Sequence, residues 1–343
     1  MRRTVVKLQT FESWFLIFLL GLLVLFPWFF KDPYPRHVMI ILLVYVVLGQ
    51  AWNILGGYSG QISLGNQIFF TFGAYTSTML LLKTGLPPWI GVFAGAIIAS
   101  GAAIFIGQIC FDLRGHYFAI ATLGLAEITY IIFLNWHFVN RAFGFQIPVM
   151  RNPNLYVQWT SKVPYYYIIL FMAVLVVAFV WKIDRSTLGI YLKAIKEDEE
   201  RAKSLGIDSR RYKLLAFVIS AVITAFAGTF YAQYILYIDP DSMLSLEFAL
   251  LIIIIPMVGG MGTVLGPILG AGILIPLAEY TRTVFGGGGR GVHLLLYGLI
   301  IVLIALYEPK GLIGIVRKMR KGLKKESEDE YEMVQSIQGK EET

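Results

Sequence analysis

The sequence predicts an all-α polytopic membrane protein of about 10 transmembrane helices (range 8–10), with one amphipathic helix on its cytoplasmic side. Three observations predict it. Of 343 residues, 57% are hydrophobic and only 15% charged, and a mean hydropathy of +0.68 is more than a soluble core can absorb. Apolar runs of spanning length recur along the chain, separated by charges or turns. The charge is also concentrated: Lys182 to Lys213, KIDRSTLGIYLKAIKEDEERAKSLGIDSRRYK, interrupts the apolar pattern. The 34 glycines suit close helix packing and helix breaks within a membrane. Cys110 is the only cysteine, which excludes an intrachain disulfide and a cysteine-based metal cluster. The net charge of +7 does not point to nucleic acid, because the basic residues flank the spans.

The first element follows MRRTVVK and is an apolar run of about 18 residues. That is too long for a signal-peptide core, and KDPYPR follows without an A-x-A site, so 13–30 reads as a retained helix. The remaining spans fall at roughly 38–55, 64–82, 89–110, 117–135, 164–181, 214–236, 246–258, 264–281 and 292–307. Glycine, proline or polar residues interrupt the third, eighth and ninth, which sets the range of the count. With both termini inside, 21 of the 29 basic residues are cytoplasmic: three in 1–12, Arg114, nine in 182–213 and eight from Lys310 on. This is the bias of the positive-inside rule. After Lys325 the acidic ESEDEYE and the polar end have little to bury, and they predict a solvated, disordered tail.

Within the charged stretch, Leu188, Leu192, Ile195, Ala202 and Leu205 lie near one helical stripe. Lys193, Lys196, Glu197, Glu200, Arg201 and Lys203 occupy the opposite face, and Gly206 stands where a left-handed glycine ends a helix. So short a helix is marginal in water. Its stripe needs a receiving surface: the membrane, the chain's own spans, or another protein. Each buried Leu or Ile is worth roughly 1.5–3 kcal/mol.

The heptapeptide Glu200-Arg201-Ala202-Lys203-Ser204-Leu205-Gly206 resembles the E-A-A-x-x-x-G loop of ABC importer permeases, with Arg201 in place of the first alanine. Wider segments carry the resemblance further. NILGGYSGQISLGNQIFFTFGAYTSTML (53–80), LRGHYFAIATLGLAEI (113–128), the stretch Ser186–Tyr234 and MVGGMGTVLGPILGA (257–271) are similar to the branched-chain amino acid ABC transporter permease family, of the LivM type. The similarity runs from about residue 38 to 315. It implies a permease domain over 1–315 and a charged tail over 316–343. It also implies a second homologous permease, two cytoplasmic ATPase subunits, an external solute-binding protein and a prokaryotic inner membrane. Residues 190–206 become the coupling helix, with Leu192, Ile195, Glu200, Ala202, Leu205 and Gly206 meeting an ATPase. The implied cargo is a branched-chain amino acid, with urea, short amides or other amino acids as alternatives. The chain contains no G-x-x-x-x-G-K-[ST], so ATP and Mg belong to the partner subunits and no cofactor is expected on this chain.

Two glycine-rich breaks bear on the substrate path. GGYSGQISLGNQ (56–67) places Gly57, Gly60, Gln61, Ser63, Asn66 and Gln67 at the head of the third span. Its amides and hydroxyls cannot all face lipid. They offer polar partners for an amino acid's carboxylate and ammonium beside apolar surfaces such as Phe69, Phe70 or Tyr75. The plainer reading is that these glycines only let helices approach. GGMGTVLGPILGAG (259–272) is a second break, read first as small-residue packing and second as a gate or hinge. Glu127 is the one acidic residue placed well inside a span. Its charge costs about 2.5–3.5 kcal/mol there, so it should face the bundle or a cavity. There it would accept a substrate ammonium or bond Thr122 or Thr129. Outside, residues 136–163 carry Arg141, Arg151 and Lys162 and no acid, a surface suited to the carboxylates of a binding protein.

Two other classes are weaker. Gly57-Tyr58-Ser59-Gly60 matches the pattern around an intramembrane serine nucleophile, but none of His37, His116, His137 and His293 sits well inside a late span as its base. H-E-x-x-H is absent. An ion-coupled secondary transporter would use Glu127 and the breaks but leave the charged helix idle.

Overall fold

The computed structural model describes residues 21–113, 115–150, 153–285, 298–299 and 311–314. The expectations for 1–20, Arg151, most of the tenth span and the tail after 315 lie outside these residues. Residues 21–29 are helical, and eight long helices follow among the described residues. They are α1 (Pro33–Trp52), α2 (Asn66–Thr84), α3 (Pro88–Cys110), α4 (His116–Asn135), α5 (Lys162–Asp184), α8 (Ser209–Ile235), α9 (Leu246–Gly259) and α10 (Gly266–Phe285). Two shorter helices, α6 (Thr187–Glu197) and α7 (Glu199–Ser204), occupy the charged stretch. Among the described residues, six helical stretches are long and apolar enough to cross a membrane by length and composition. The interrupted α2 and α10 are not among the six, and part of the first and most of the tenth expected span lie outside the described residues.

Local chemistry sets the element ends. Prolines at the first turn open α1 and α3, where the missing N–H is no loss. Ser161, Ser186, Asp208 and Ser245 each accept a backbone N–H at a helix start. A short antiparallel ladder pairs Phe145 with Ile238 and Gln146 with Tyr237, tying the 136–150 loop to the end of α8.

The core is built on α2 and α8, with Phe69, Phe70, Phe118 and Phe217 fully buried and the rings of Phe69 and Phe217 5.1 Å apart. A Cβ at Gly73 would lie 2.1 Å from the Ala225 carbonyl oxygen, and one at Gly228 would lie 2.0 Å from that of Phe70. Backbone meets backbone at this crossing, and Thr229 donates across it to Gly73 O at 3.0 Å. A second cluster, Val46, Ile255, Val258, Ala271, Leu274 and Ile275, joins α1, α9 and α10. Helix α4 stands apart. Only 22% of its span is buried, against 61% of α8.

Candidate coupling and substrate-path site

The charged stretch folds as an elbow rather than as one continuous helix. Asp198 adopts an extended conformation (φ −159°, ψ 109°), ends α6, and caps α7 by accepting from Glu200 N at 3.0 Å and Arg201 N at 3.1 Å. The expected glycine stop is present in full. Gly206 has φ +82°, its N–H reaches Lys203 O at 2.9 Å and Ile207 N–H reaches Ala202 O at 3.1 Å, which is the Schellman arrangement.

The apolar stripe is divided. Leu192, Ile195 and Ala202 are buried against this chain's own helices, whereas Leu205 is 79% exposed and Glu200 and Gly206 are also exposed. Of the six residues expected to meet an ATPase, Leu192, Ile195 and Ala202 therefore pack inward in this chain. They anchor the elbow, because α6 and α7 pack on α5 and α8 and leave the other side open. A groove of about 370 Å³ lies on that open side, lined by Ala194, Glu197, Asp198, Arg201, Ala202 and Leu205.

Lys213 is 4% exposed and bonds Glu199 Oε2 at 2.6 Å, while Lys203 reaches Oε1 of the same carboxylate at 3.1 Å. Burial alone would raise the Glu199 pKa, but the two lysines outweigh it and hold the carboxyl below its ordinary value. Its stabilisation is therefore complete above the ordinary carboxylate pKa and is lost as pH falls through the lowered folded-state value. Glu199→Gln should cost about 1.5–3 kcal/mol at neutral pH. Thermal melts of the detergent-solubilised protein near neutrality and at acid pH should show this loss and a weaker acid dependence in the variant.

The first break begins directly after α1. Residues Asn53–Gly57 form a π-helical turn, a feature common at functional sites, and the chain is irregular over 60–65. Gln61, Ser63, Asn66 and Gln67 are all buried, as expected. Asn66 Nδ2 donates to Ser220 Oγ at 3.1 Å, and Leu64 N donates to Thr122 Oγ1 on α4 at 3.0 Å. Among the described residues, Gln61 Nε2, Asn66 Oδ1 and Gln67 Oε1 are buried without a hydrogen-bond partner. Each buried polar atom left unpaired would cost about 1–3 kcal/mol.

The two breaks meet, which their sequences did not indicate. Asn53 Nδ2 donates to Thr263 O at 2.9 Å and its Oδ1 accepts from Gly262 N at 2.8 Å. One turn earlier, Gln50 Nε2 donates to Val264 O at 2.6 Å. Gly57 has no room for a side chain: a Cβ would lie 1.8 Å from Asn53 Oδ1 and 2.6 Å from Gly262 N. Helix α6 covers this junction. Lys196 Nζ donates to Gly57 O at 2.9 Å. Lys193 pairs with Asp184 at 2.6 Å and lies 5.4 Å from the Tyr58 ring centroid. Burial, then the Asp184 charge, push the Tyr58 phenol well above its ordinary pKa, so it stays protonated. Sequence reading passed over Gln50, Asn53 and Lys196 as site residues. Two amides one turn apart inside an apolar run were the available signal.

Glu127 faces away from this chain's own helices. It lies on the exposed side of α4, with Tyr117, Ile120, Ile128 and Ile131 also exposed, and does not point into this chain's bundle. Thr122 and Thr129 instead bond their own helix carbonyls. Arg141 is exposed in a 3₁₀ turn and contacts His137.

The described chain is thus a set of apolar helices interrupted by glycine breaks, with a charged elbow seated on those breaks. A family model for the branched-chain amino acid transport system / permease component matches residues 35–305. The high-affinity branched-chain amino acid transport system permease protein LivM of Escherichia coli is 30% identical, covering 90% of this chain and 77% of that protein. The corresponding LivM of Salmonella typhimurium is 29% identical over the same shares. The permease protein LivH of Escherichia coli is 24% identical over 79% of this chain and 91% of its own length. No solved structure matches. The chain belongs to the branched-chain amino acid transport permease family, and it is a polytopic, all-α membrane permease.

Proposed function

We propose that this chain is one of two permease subunits of an ATP-driven importer that carries branched-chain amino acids across a prokaryotic cytoplasmic membrane, with both termini inside. The single observation that carries the reading is the elbow. It presents Glu200, Leu205 and Gly206 outward at the end of the bundle where both breaks meet. One of two ATPase subunits docks there, the other on the second permease; the pair hold the ATP and Mg, and the chain itself performs no catalysis. The likeness to both LivM and LivH of one organism supports a second, homologous permease as partner.

Glu127 bears on where that partner sits. A carboxylate facing lipid at mid-span would cost about 2.5–3.5 kcal/mol. In the assembly the exposed face of α4 turns toward the second permease, and Glu127 borders the path between them as an acceptor for a substrate ammonium. The orphaned amides of Gln61, Asn66 and Gln67 supply further polar partners near the inner end. On the outside, Arg141 belongs to the surface that meets the binding protein, and Arg151 extends that proposal along the same loop.

Affinity purification of the tagged chain in mild detergent, followed by mass spectrometry, tests the assembly. A second permease and an ATPase should accompany it, and a chain that purifies alone would sink the reading. Arg141→Glu should weaken binding-protein docking severalfold, more so at low ionic strength where charges are less screened. A docking titration at two salt concentrations checks this, and unchanged affinity would return Arg141 to plain solvated charge.

A further inference from the structure

We infer that Lys196 is a positioning residue that transmits movement of the ATPase-facing elbow to both glycine breaks at once. The inference rests on the importer reading and goes beyond it by naming the joint.

Lys196 projects from α6 with its stem against Gly60, where a Cβ would lie 3.1 Å from Lys196 Cγ. Its ammonium donates to the Gly57 carbonyl, one of the last carbonyls before the chain breaks, and a cation suits the negative end of a helix. It sits against the second break as well, since a Cβ at Gly262 would lie 3.4 Å from Lys196 Nζ and 2.8 Å from Gly57 O. Other lysines of this stretch choose carboxylates: Lys193 takes Asp184, and Lys203 and Lys213 take Glu199. Lys196 instead spends its charge on the backbone of a membrane helix.

Beyond this contact, part-buried hydrogen bonds tie both breaks to their neighbours. Asn53 fastens the π turn to Gly262 and Thr263, and the same break reaches α4 through Leu64 N and Thr122. A shift of α6 pulls on Gly57, and Asn53 carries the pull to the second break. The π turn and the irregular 60–65 stretch are where the chain can yield without unwinding a whole helix. Continuity in space is not coupling, so the test measures coupling itself.

The test uses the complete transporter in proteoliposomes, comparing leucine uptake with ATP hydrolysis per assembled complex. Lys196→Met keeps the stem and removes the cation. It should assemble and hydrolyse ATP within about twofold of the parent, while leucine moved per ATP falls at least tenfold. Lys196→Arg, which keeps a cation, should restore at least half of the ratio. A merely structural role would lower uptake and hydrolysis together with the yield of complex, leaving the ratio unchanged. Any of three results overturns the inference: a parental ratio in Lys196→Met, equal uncoupling in Lys196→Arg, or failed assembly in both variants. A parent complex that hydrolyses ATP but moves no leucine would strike the importer reading first, and that outcome is distinguishable because it precedes any substitution.

Discussion

Gly228→Leu should prevent the central helices from closing. The α2–α8 crossing has backbone on both sides of the contact, with a Cβ at Gly228 falling 2.0 Å from Phe70 O and one at Gly73 falling 2.1 Å from Ala225 O. No rotamer relieves an overlap with a carbonyl, so the helices must separate and the aromatic core around Phe69, Phe70 and Phe217 loses its packing. The cost should reach or exceed the upper end of the roughly 1–3 kcal/mol typical of overpacking. Size-exclusion profiles and thermal melts in detergent should show aggregation or a strongly lowered midpoint. Gly124→Ala is the control. Nothing lies within 4 Å of a Cβ there, so its effect should stay within about 0.5 kcal/mol. A monodisperse Gly228→Leu protein with the parental midpoint would remove the crossing from the account of the fold.

The second large effect separates anchoring from docking on one short amphipathic stretch. Leu205→Asp changes a side chain that is 79% exposed. Stability should move by no more than about 0.5 kcal/mol, while ATPase capture falls at least tenfold, or about 1.4 kcal/mol. Leu192→Ala does the reverse. That side chain is 0% exposed, its truncation should cost about 2–5 kcal/mol, and ATPase capture should fall only in step with the folded fraction. Melts and quantitative co-purification on the same preparations decide it. Full ATPase capture by Leu205→Asp would show that the partner binds elsewhere.

Much of the fold was legible because a membrane makes apolar length decisive. The runs at 89–110 and 117–135 became Pro88–Cys110 and His116–Asn135 nearly residue for residue. Gly206 was legible for a local reason, since a left-handed residue after a helix nearly always needs to be glycine. The amphipathic stripe was less informative. Leu192 and Leu205 have the same side chain and share the stripe, yet one is sealed and the other bare. Asp198 was not recognised as a break, because its capping of α7 shows only once its backbone is extended. The orientation of Glu127 was illegible for a related reason. Hydropathy places a carboxylate at a depth in the membrane, but it does not say which side of its helix faces the chain's own bundle.

By itself, the sequence determined the class of protein: apolar length, charge bias and glycine content specify helices that cross a lipid bilayer, and the motifs specify the family. Only the tertiary structure decided the site. Gln50 and Asn53 stand more than two hundred residues from Gly262, Thr263 and Val264, and Lys196 stands 139 residues from Gly57. Hydrogen bonds of about 3 Å between such distant segments are set by helix packing, which no local pattern encodes. The breaks were visible as glycines, but that they meet beneath the charged elbow follows from how these distant segments pack together.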